Sequence, residues 1–293
     1  MTIITVNFNG SGDTIDLLKS LERQTDRNFD VIVVDNDSSP DERAALSAYA
    51  ATSPLRLDVI YSDRNRGFSG GNNLGVQKAF AQNTDWMVML NNDTTVEPCY
   101  ISELRLSLSI PALVALPLRE RGGTVFSGRV QWLHATLKHL HRPVIDPRGR
   151  YAIGAAFAVH RDVFAQVGMM DERFFLYFED VEFSLRVQAE GFPVRYLESP
   201  SASHTVSAST SRLGSPLLLR YHMRNALLFN SIHGPWWVRI ALPVWSIFSM
   251  VKQLVKLSLL PARREQSKAI AAGILDFYAN RFGKITPSVS PRH

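Results

Sequence analysis

"WMVMLNNDTTVEP", Trp86–Pro98, carries five apolar residues straight into two asparagines and an aspartate. An apolar run of that length reads as a buried strand. Its polar end has two explanations. Asn and Asp dominate turns, and an acid with amide oxygens at a strand tip can also hold a divalent cation bound to phosphate. The rest of the chain separates the two.

Upstream, short β-rich runs alternate with helical patterns. "TIITVNF" (Thr2–Phe8), "FDVIVVDND" (Phe29–Asp37) and "RLDVIYS" (Arg56–Ser62) read as strands. "DTIDLLKSLERQ" (Asp13–Gln24) and "DERAALSAYAAT" (Asp41–Thr52) read as helices between them. "NRGFSGGNNLG" reads as a glycine-rich turn leading into a third helix, "NNLGVQKAFAQ". This alternation predicts an α/β fold with a mostly parallel central sheet and helices on both faces. Right-handed crossovers then bring the strand ends to one edge, where open α/β sheets bind ligands.

The second half is less regular. Residues 111–150, with His134, His139 and His141, read as one short strand and a mobile loop, because the histidine spacing matches no compact metal pattern. "YAIGAAFAVHRDVFAQVG" (Tyr151–Gly168) reads as a strand and a short helix. "DERFFLYFEDVEFSLRVQAEGF" delivers acidic residues into a helix that stops near Gly191, and "PVRYLESPSASH" reads as a last strand reaching His204.

Composition bounds the class. The 293 residues are 45% hydrophobic and 20% charged, enough for a sizeable core of about 200 residues with an appendage. Cys99 is the single cysteine, so no internal disulfide forms, and a cytoplasmic compartment is expected. The start, "MTIITVNFNG", lacks the features of a signal peptide. The net charge of +5 conceals a split: residues 1–204 hold 20 Lys and Arg against 25 Asp and Glu, and residues 205–293 hold 12 against 2. A basic tail fits an anionic partner, either nucleic acid or a membrane surface. The tail's aromatics sit in an apolar run, "WWVRIALPVWSIFSMVKQLVKLSLL" (Trp236–Leu260), not interleaved with basic residues, which argues against nucleic acid. Its uncharged core is shorter than the roughly 20 residues of a membrane span. Ser246, Ser249, Gln253 and Lys256 fall on one side of a helix, the pattern of an interfacial helix. Packing against the core or a second copy of the chain, giving a homodimer, explains the same pattern.

The strand ends "VNFNG", "VVDNDSS" and "LNNDT", with "NRGFSGGNNLG", are each explicable as turns. Four of them converging on one edge are less easily explained so. The glycines at 67, 70 and 71 would let backbone approach a ligand there, although they form neither a dinucleotide fingerprint nor a P-loop. With "GAAF" and "FFLYFEDVEFSLR", this ordered series resembles the family 2 glycosyltransferases, closest to their bacterial rhamnosyltransferase-like branch, over residues 1–230.

The resemblance implies the GT-A fold for residues 1–230, with residues 231–293 as a basic, amphipathic helical tail. It implies a nucleotide-diphosphate sugar donor, a divalent metal (Mg²⁺ or Mn²⁺) and inversion at the anomeric carbon. Thr5, Asn7 and Asn9 would line the nucleotide pocket. Asp35 and Asn36 would contact base and ribose, and Asn65, Gly67 and Asn73 would shape the neighbouring loop, with Asn92 on the donor side. Asp93 would be the metal carboxylate, joined by Asn91 and His204. The family usually carries an acid where this chain has Asn91, so metal binding is expected to be weak until the donor diphosphate arrives. Asp180 would be the base that deprotonates the acceptor, with Glu179 beside it. Carboxylates in a first helical turn are also favoured by the helix dipole alone. Arg220 and Arg224, four residues apart, would neutralise a diphosphate. The implied activity is transfer of a sugar, L-rhamnose from dTDP-rhamnose, to a glycan or polyprenyl-diphosphate-linked acceptor at the inner face of the cell membrane. A nucleotidyltransferase would not need the Glu179–Asp180 pair. A non-catalytic nucleotide-sugar-binding scaffold would leave it unexplained.

Overall fold

The computed structural model describes residues 1–204 and 215–286. In its first half, β1 (Thr2–Asn7), β2 (Asp30–Asp35), β3 (Leu57–Tyr61) and β4 (Trp86–Leu90) alternate with α1 (Ser11–Glu22), α2 (Pro40–Ala50) and α3 (Gly67–Ala81). The strands pair in parallel in the order β3-β2-β1-β4. Successive residues point to opposite faces. Ile3, Val31 and Val33 pack with Leu17, Leu18 and Leu21 of α1, whereas Ile4, Ile32 and Val34 pack with Val76 and Ala79 of α3.

The glycine-rich segment is helix, not turn. Gly70, Gly71 and Gly75 lie inside α3. A Cβ on Gly71 would sit 2.7 Å from Val6 Cγ1, and one on Gly75 would collide with Ile4 Cγ2. These glycines sink α3 onto β1, which offsets their poor helix propensity.

Beyond the Asn-Asn-Asp tip come β5 (Thr94–Thr95) and α4 (Tyr100–Ser107). The stretch expected to be mostly loop instead holds β6 (Leu113–Ala115), β7 (Leu118–Glu120), β8 (Gly123–Val125), β9 (Ser127–Arg129) and β10 (Lys138–Leu140), with β11 (Arg150–Tyr151) after them. Next are β12 (Ala156–His160), α5 (Arg161–Val167) and α6 (Glu179–Ala189). The expected single strand running to His204 divides into β13 (Val194–Tyr196) and β14 (Ala202–His204), which belong to different sheets.

The central sheet has seven strands in the order β13-β6-β12-β4-β1-β2-β3, and β12 alone runs against the others. That reversal matters for the site. It brings "GAAF" (Gly154–Phe157), whose last two residues begin β12, beside the carboxyl end of β4. A four-stranded sheet, β5-β14-β7-β8, pairs the stretch after the tip with the strand that ends on His204.

The C-terminal region forms α7 (Pro216–His233), α8 (Trp236–Leu259) and α9 (Arg264–Tyr278), with α9 folded back along α7. The polar stripe of α8 faces inward: Ser246, Ser249 and Gln253 are buried, with Val238 and Leu242. Its apolar face is outside, and Ile240, Val244, Ile247 and Phe248 are 65–70% exposed. The stripe read from the sequence thus packs on the body of the protein, and the apolar side is the one left outside. The helix is also longer than its uncharged core, with 24 residues, or about 36 Å at 1.5 Å per residue. By length and composition alone it could cross a membrane.

Candidate active site

The polar ends of β1, β2 and β4 meet in one hydrogen-bonded group. Asn7 Nδ2 donates to Asp35 Oδ2 at 2.9 Å and to Ser38 Oγ at 3.1 Å. Thr14 Oγ1 donates to Asn7 Oδ1 at 2.9 Å, and Asn92 Nδ2 donates to Thr14 Oγ1 at 3.2 Å and to the carbonyl of Gly10. Convergence, expected from topology, is thus realised atom by atom.

Several of these residues organise the edge from inside. Asp35 is fully buried and accepts from Arg43 Nε at 2.7 Å as well as from Asn7 and the Ser38 N–H. Asn36 receives the Arg66 N–H on its oxygen and donates to the Gly67 carbonyl and to Asn65. Asn73 holds Met170 and Glu172 in the loop before α6. Thr5 is buried in mid-strand, and its hydroxyl has no partner among the described residues. Asn9 is exposed at the rim, and its neighbour Phe8 is 50% exposed. The sequence reading missed Arg43, Thr14, Ser38 and Phe8. A basic residue one helical turn into α2, facing an acid at a strand end, was a signal for Arg43.

The tip of β4 is a turn that carries Asp93 to His204. The Asn91 N–H donates to the Ala155 carbonyl, and the chain then turns into β5, which pairs with β14. That pairing sets His204 opposite Thr94 and brings its Nε2 to 3.3 Å from Asp93 Oδ1. Its Nδ1 lies 3.2 Å from Glu120 Oε1 on β7. Burial alone would pull the His204 pKa down, but the hydrogen bonds and charges of Asp93 and Glu120 outweigh it and raise the value. Glu120, which the sequence reading did not single out, thus orients the ring from behind, as carboxylates do for metal-bound histidines.

The acidic pair opens α6 on the same edge. Asp180 Oδ2 accepts the Gly154 N–H at 2.9 Å, and Oδ1 accepts the Val181 N–H at 2.8 Å. Gly154 adjoins Ala155, whose carbonyl receives Asn91. Two adjacent residues of "GAAF" therefore carry the contact made by Asp180 and the one made by the metal-candidate tip. Burial lifts the Asp180 pKa to about 6, against the N–H groups of Gly154 and Val181, which favour the anion. Glu179 is 5% exposed, and burial followed by the charge of Asp180 pushes its carboxyl well above the usual range. Its Oε2 has no partner among the described residues.

The loop entering α6 is strained. Phe175, Tyr177 and Phe178 take φ values of +63°, +70° and +73°. A non-glycine residue in such a conformation costs on the order of 1–3 kcal/mol.

Arg220 and Arg224 make their contacts within the C-terminal helices and this loop. Arg220 forms a two-bond pair with Asp276 of α9, at 2.6 and 2.9 Å. Arg224 is 1% exposed, and its donors go to Asn225 Oδ1 and to backbone carbonyls including Phe174 and Gly283. The diphosphate expected for them has no free guanidinium fork to meet at Arg224.

The sequence profile of glycosyl transferase family 2 matches residues 2–168, which include every strand end of this edge up to "GAAF". The chain belongs to that family. A low-salt glycan biosynthesis hexosyltransferase, Agl10, from Haloferax volcanii is 27% identical, covering 97% of this chain and 92% of its own length. An N-acetylglucosaminyl-diphospho-decaprenol L-rhamnosyltransferase from Mycobacterium tuberculosis is 25% identical, covering 81% and 86%. Among solved structures, the mannosyltransferase PcManGT of Pyrobaculum calidifontis, in complex with GDP-Man and Mn²⁺, superposes with a TM-score of 0.58 at 15% identity, over 96% of this chain and 87% of its own. The fold is that of the GT-A glycosyltransferases, and the protein is a glycosyltransferase.

Proposed function

We propose that this glycosyltransferase inverts the anomeric centre as it moves L-rhamnose from dTDP-rhamnose to a polyprenyl-diphosphate-linked glycan. The observation that carries the reading is the shared strand edge, where Gly154 and Ala155 join Asp180 to the Asn91–Asp93 tip. Asp180, half-buried and oriented by the N–H groups of Gly154 and Val181, takes the proton of the acceptor hydroxyl. The hydroxyl oxygen bonds to C1 as the bond from C1 to the diphosphate oxygen breaks on the opposite face, and the electron pair leaves with the nucleoside diphosphate.

The donor set fits a divalent cation. Asp93 and His204 are both nearly buried, touch, and have Glu120 behind them. The described residues offer no third acid, histidine or cysteine in ligand geometry, so donor oxygens would complete the shell. When bound, the cation would neutralise charge on the departing diphosphate. The Asn91 amide adds an oxygen without charge, consistent with metal and donor binding together. Choice of sugar follows the rhamnosyltransferase relative, and a differential scanning test decides it. Thermal stabilisation by dTDP-rhamnose above UDP- and GDP-sugars, increased by Mn²⁺, is expected. No stabilisation by any nucleotide sugar, with or without Mn²⁺, would contradict the donor reading.

The exposed apolar face of α8 supports a membrane-surface location. Trp236 and Trp237 lie at its start, and Lys252, Lys256, Arg263, Arg264 and Lys268 lie along and beyond its end. Apolar area with basic flanks suits an anionic bilayer. The full chain should float with phosphatidylglycerol vesicles, and Val244→Glu with Ile247→Glu should reduce partitioning at least tenfold. Unchanged flotation would refute this. A concentration-dependent dimer without vesicle binding would assign the face to a second copy.

A further inference from the structure

A dense set of contacts on the loop before Glu179 comes from α7. Asn225 is fully buried, and its Nδ2 lies 2.7, 2.8 and 2.9 Å from the carbonyls of Phe174, Leu176 and Tyr177. Arg224 Nε donates to Asn225 Oδ1 at 3.0 Å, which fixes the amide so that its N–H groups face the loop. The other Arg224 donors reach the Phe174 carbonyl and the Gly283 carbonyl, and the Gly283 N–H returns to the Arg173 carbonyl. Tyr221 stacks on Phe175 and His222 on Tyr177, with ring centres 5.4 and 3.9 Å apart. On the opposite side the Phe68 N–H donates to the Phe175 carbonyl, and a Cβ on Gly67 would collide with that residue. Three residues at positive φ persist only where their surroundings over-determine them. Here "RYHMRN" (Arg220–Asn225) supplies those surroundings.

We propose that Arg224 and Asn225 are positioning residues for the transfer reaction: they hold the strained 174–178 backbone so that α6 starts with the Asp180 carboxylate against Gly154. The proposal rests on the reading of Asp180 as the base. It assigns the buried arginine a role in loop geometry instead of phosphate binding. It also ties the segment after α9 to the site, since Gly283 closes the same network. Among the described residues, no hydrogen bond runs from Arg224 or Asn225 to the nucleotide-side residues on β1, β2 and β4, so donor affinity should be separable from turnover.

The test measures kcat, and the donor dissociation constant by calorimetry, for Asn225→Ala and Asn225→Asp in the full chain. Arg224→Lys serves as a milder variant that keeps the charge and loses the fork. The expected result is a 10- to 100-fold fall in kcat with donor affinity within twofold of wild type. Amide hydrogen exchange should quicken across residues 173–180 and not across β1 or β2. Wild-type kcat in a folded Asn225 variant would overturn the proposal. A parallel loss of donor affinity in all three variants would also overturn it, because that is the mark of a general structural role. Asp180→Asn, measured alongside, separates the two readings. If it keeps wild-type turnover, the base assignment fails and the clamp loses its purpose. If it is inactive while Asn225→Ala is fully active, the clamp alone fails.

Discussion

Replacing Asp180 with Asn should lower kcat by about 10³-fold, within the 10²–10⁴ range of a positioned general base. The amide keeps the shape, and its oxygen can still accept from Gly154, so folding and donor binding should survive. What disappears is the lone pair that receives the acceptor proton. Glu179→Gln should be far milder. Its carboxyl is buried and so less accessible to an acceptor hydroxyl than the half-buried Asp180, and burial with the charge of Asp180 pushes its pKa well above the usual range. Steady-state rates with a lipid-diphosphate acceptor and a donor-binding isotherm for each variant distinguish loss of chemistry from loss of substrate. Equal losses in both variants would mean that the pair acts as a unit and that no single base can be named.

Replacing Asp93 with Ala should cost on the order of 10²–10³-fold in kcat/KM, the scale for removing one group that stabilises developing transition-state charge. The loss should appear together with loss of the Mn²⁺-dependent gain in donor affinity. His204 would then lack its carboxylate neighbour and keep only Glu120. The converse change, Asn91→Asp, adds a second charge at the tip and should let the protein bind Mn²⁺ without donor. If Asp93→Ala binds donor as tightly as wild type with and without Mn²⁺, the metal reading of the tip is wrong.

Much of this was written in the sequence because it depends on local pattern. Apolar runs ending in Asn and Asp mark β1, β2 and β4, and parallel pairing forces their ends together. Asp93 with His204 is less local, since the contact depends on β14 pairing with β5 across more than a hundred residues. What failed to show has specific causes. Gly70 and Gly71 looked like a turn because intrinsic propensity disfavours glycine in a helix, and the residues they approach from outside it, Glu172 and Val6, are distant in sequence. Strands β6 to β10 are three residues long, too short for a period of two to register. For α8, periodicity revealed a polar stripe but not which side met water. Ser246, Ser249 and Gln253 turned out to be the buried side. Arg224 looked like a phosphate ligand because a basic residue on a helix shows nothing of carbonyls fifty residues away.

Removal of the acceptor proton by Asp180 is read in the pH dependence of kcat/KM for the acceptor, measured with donor and Mn²⁺ present. A base must be ionised to act. With its pKa raised to about 6, kcat/KM should be level above neutrality and fall tenfold per unit as the pH drops below about 6. Asp180→Asn should lose that acid limb along with most of the rate. A wild-type kcat/KM that stays level down to pH 4.5, or an acid limb that persists unchanged in Asp180→Asn, would contradict the assignment.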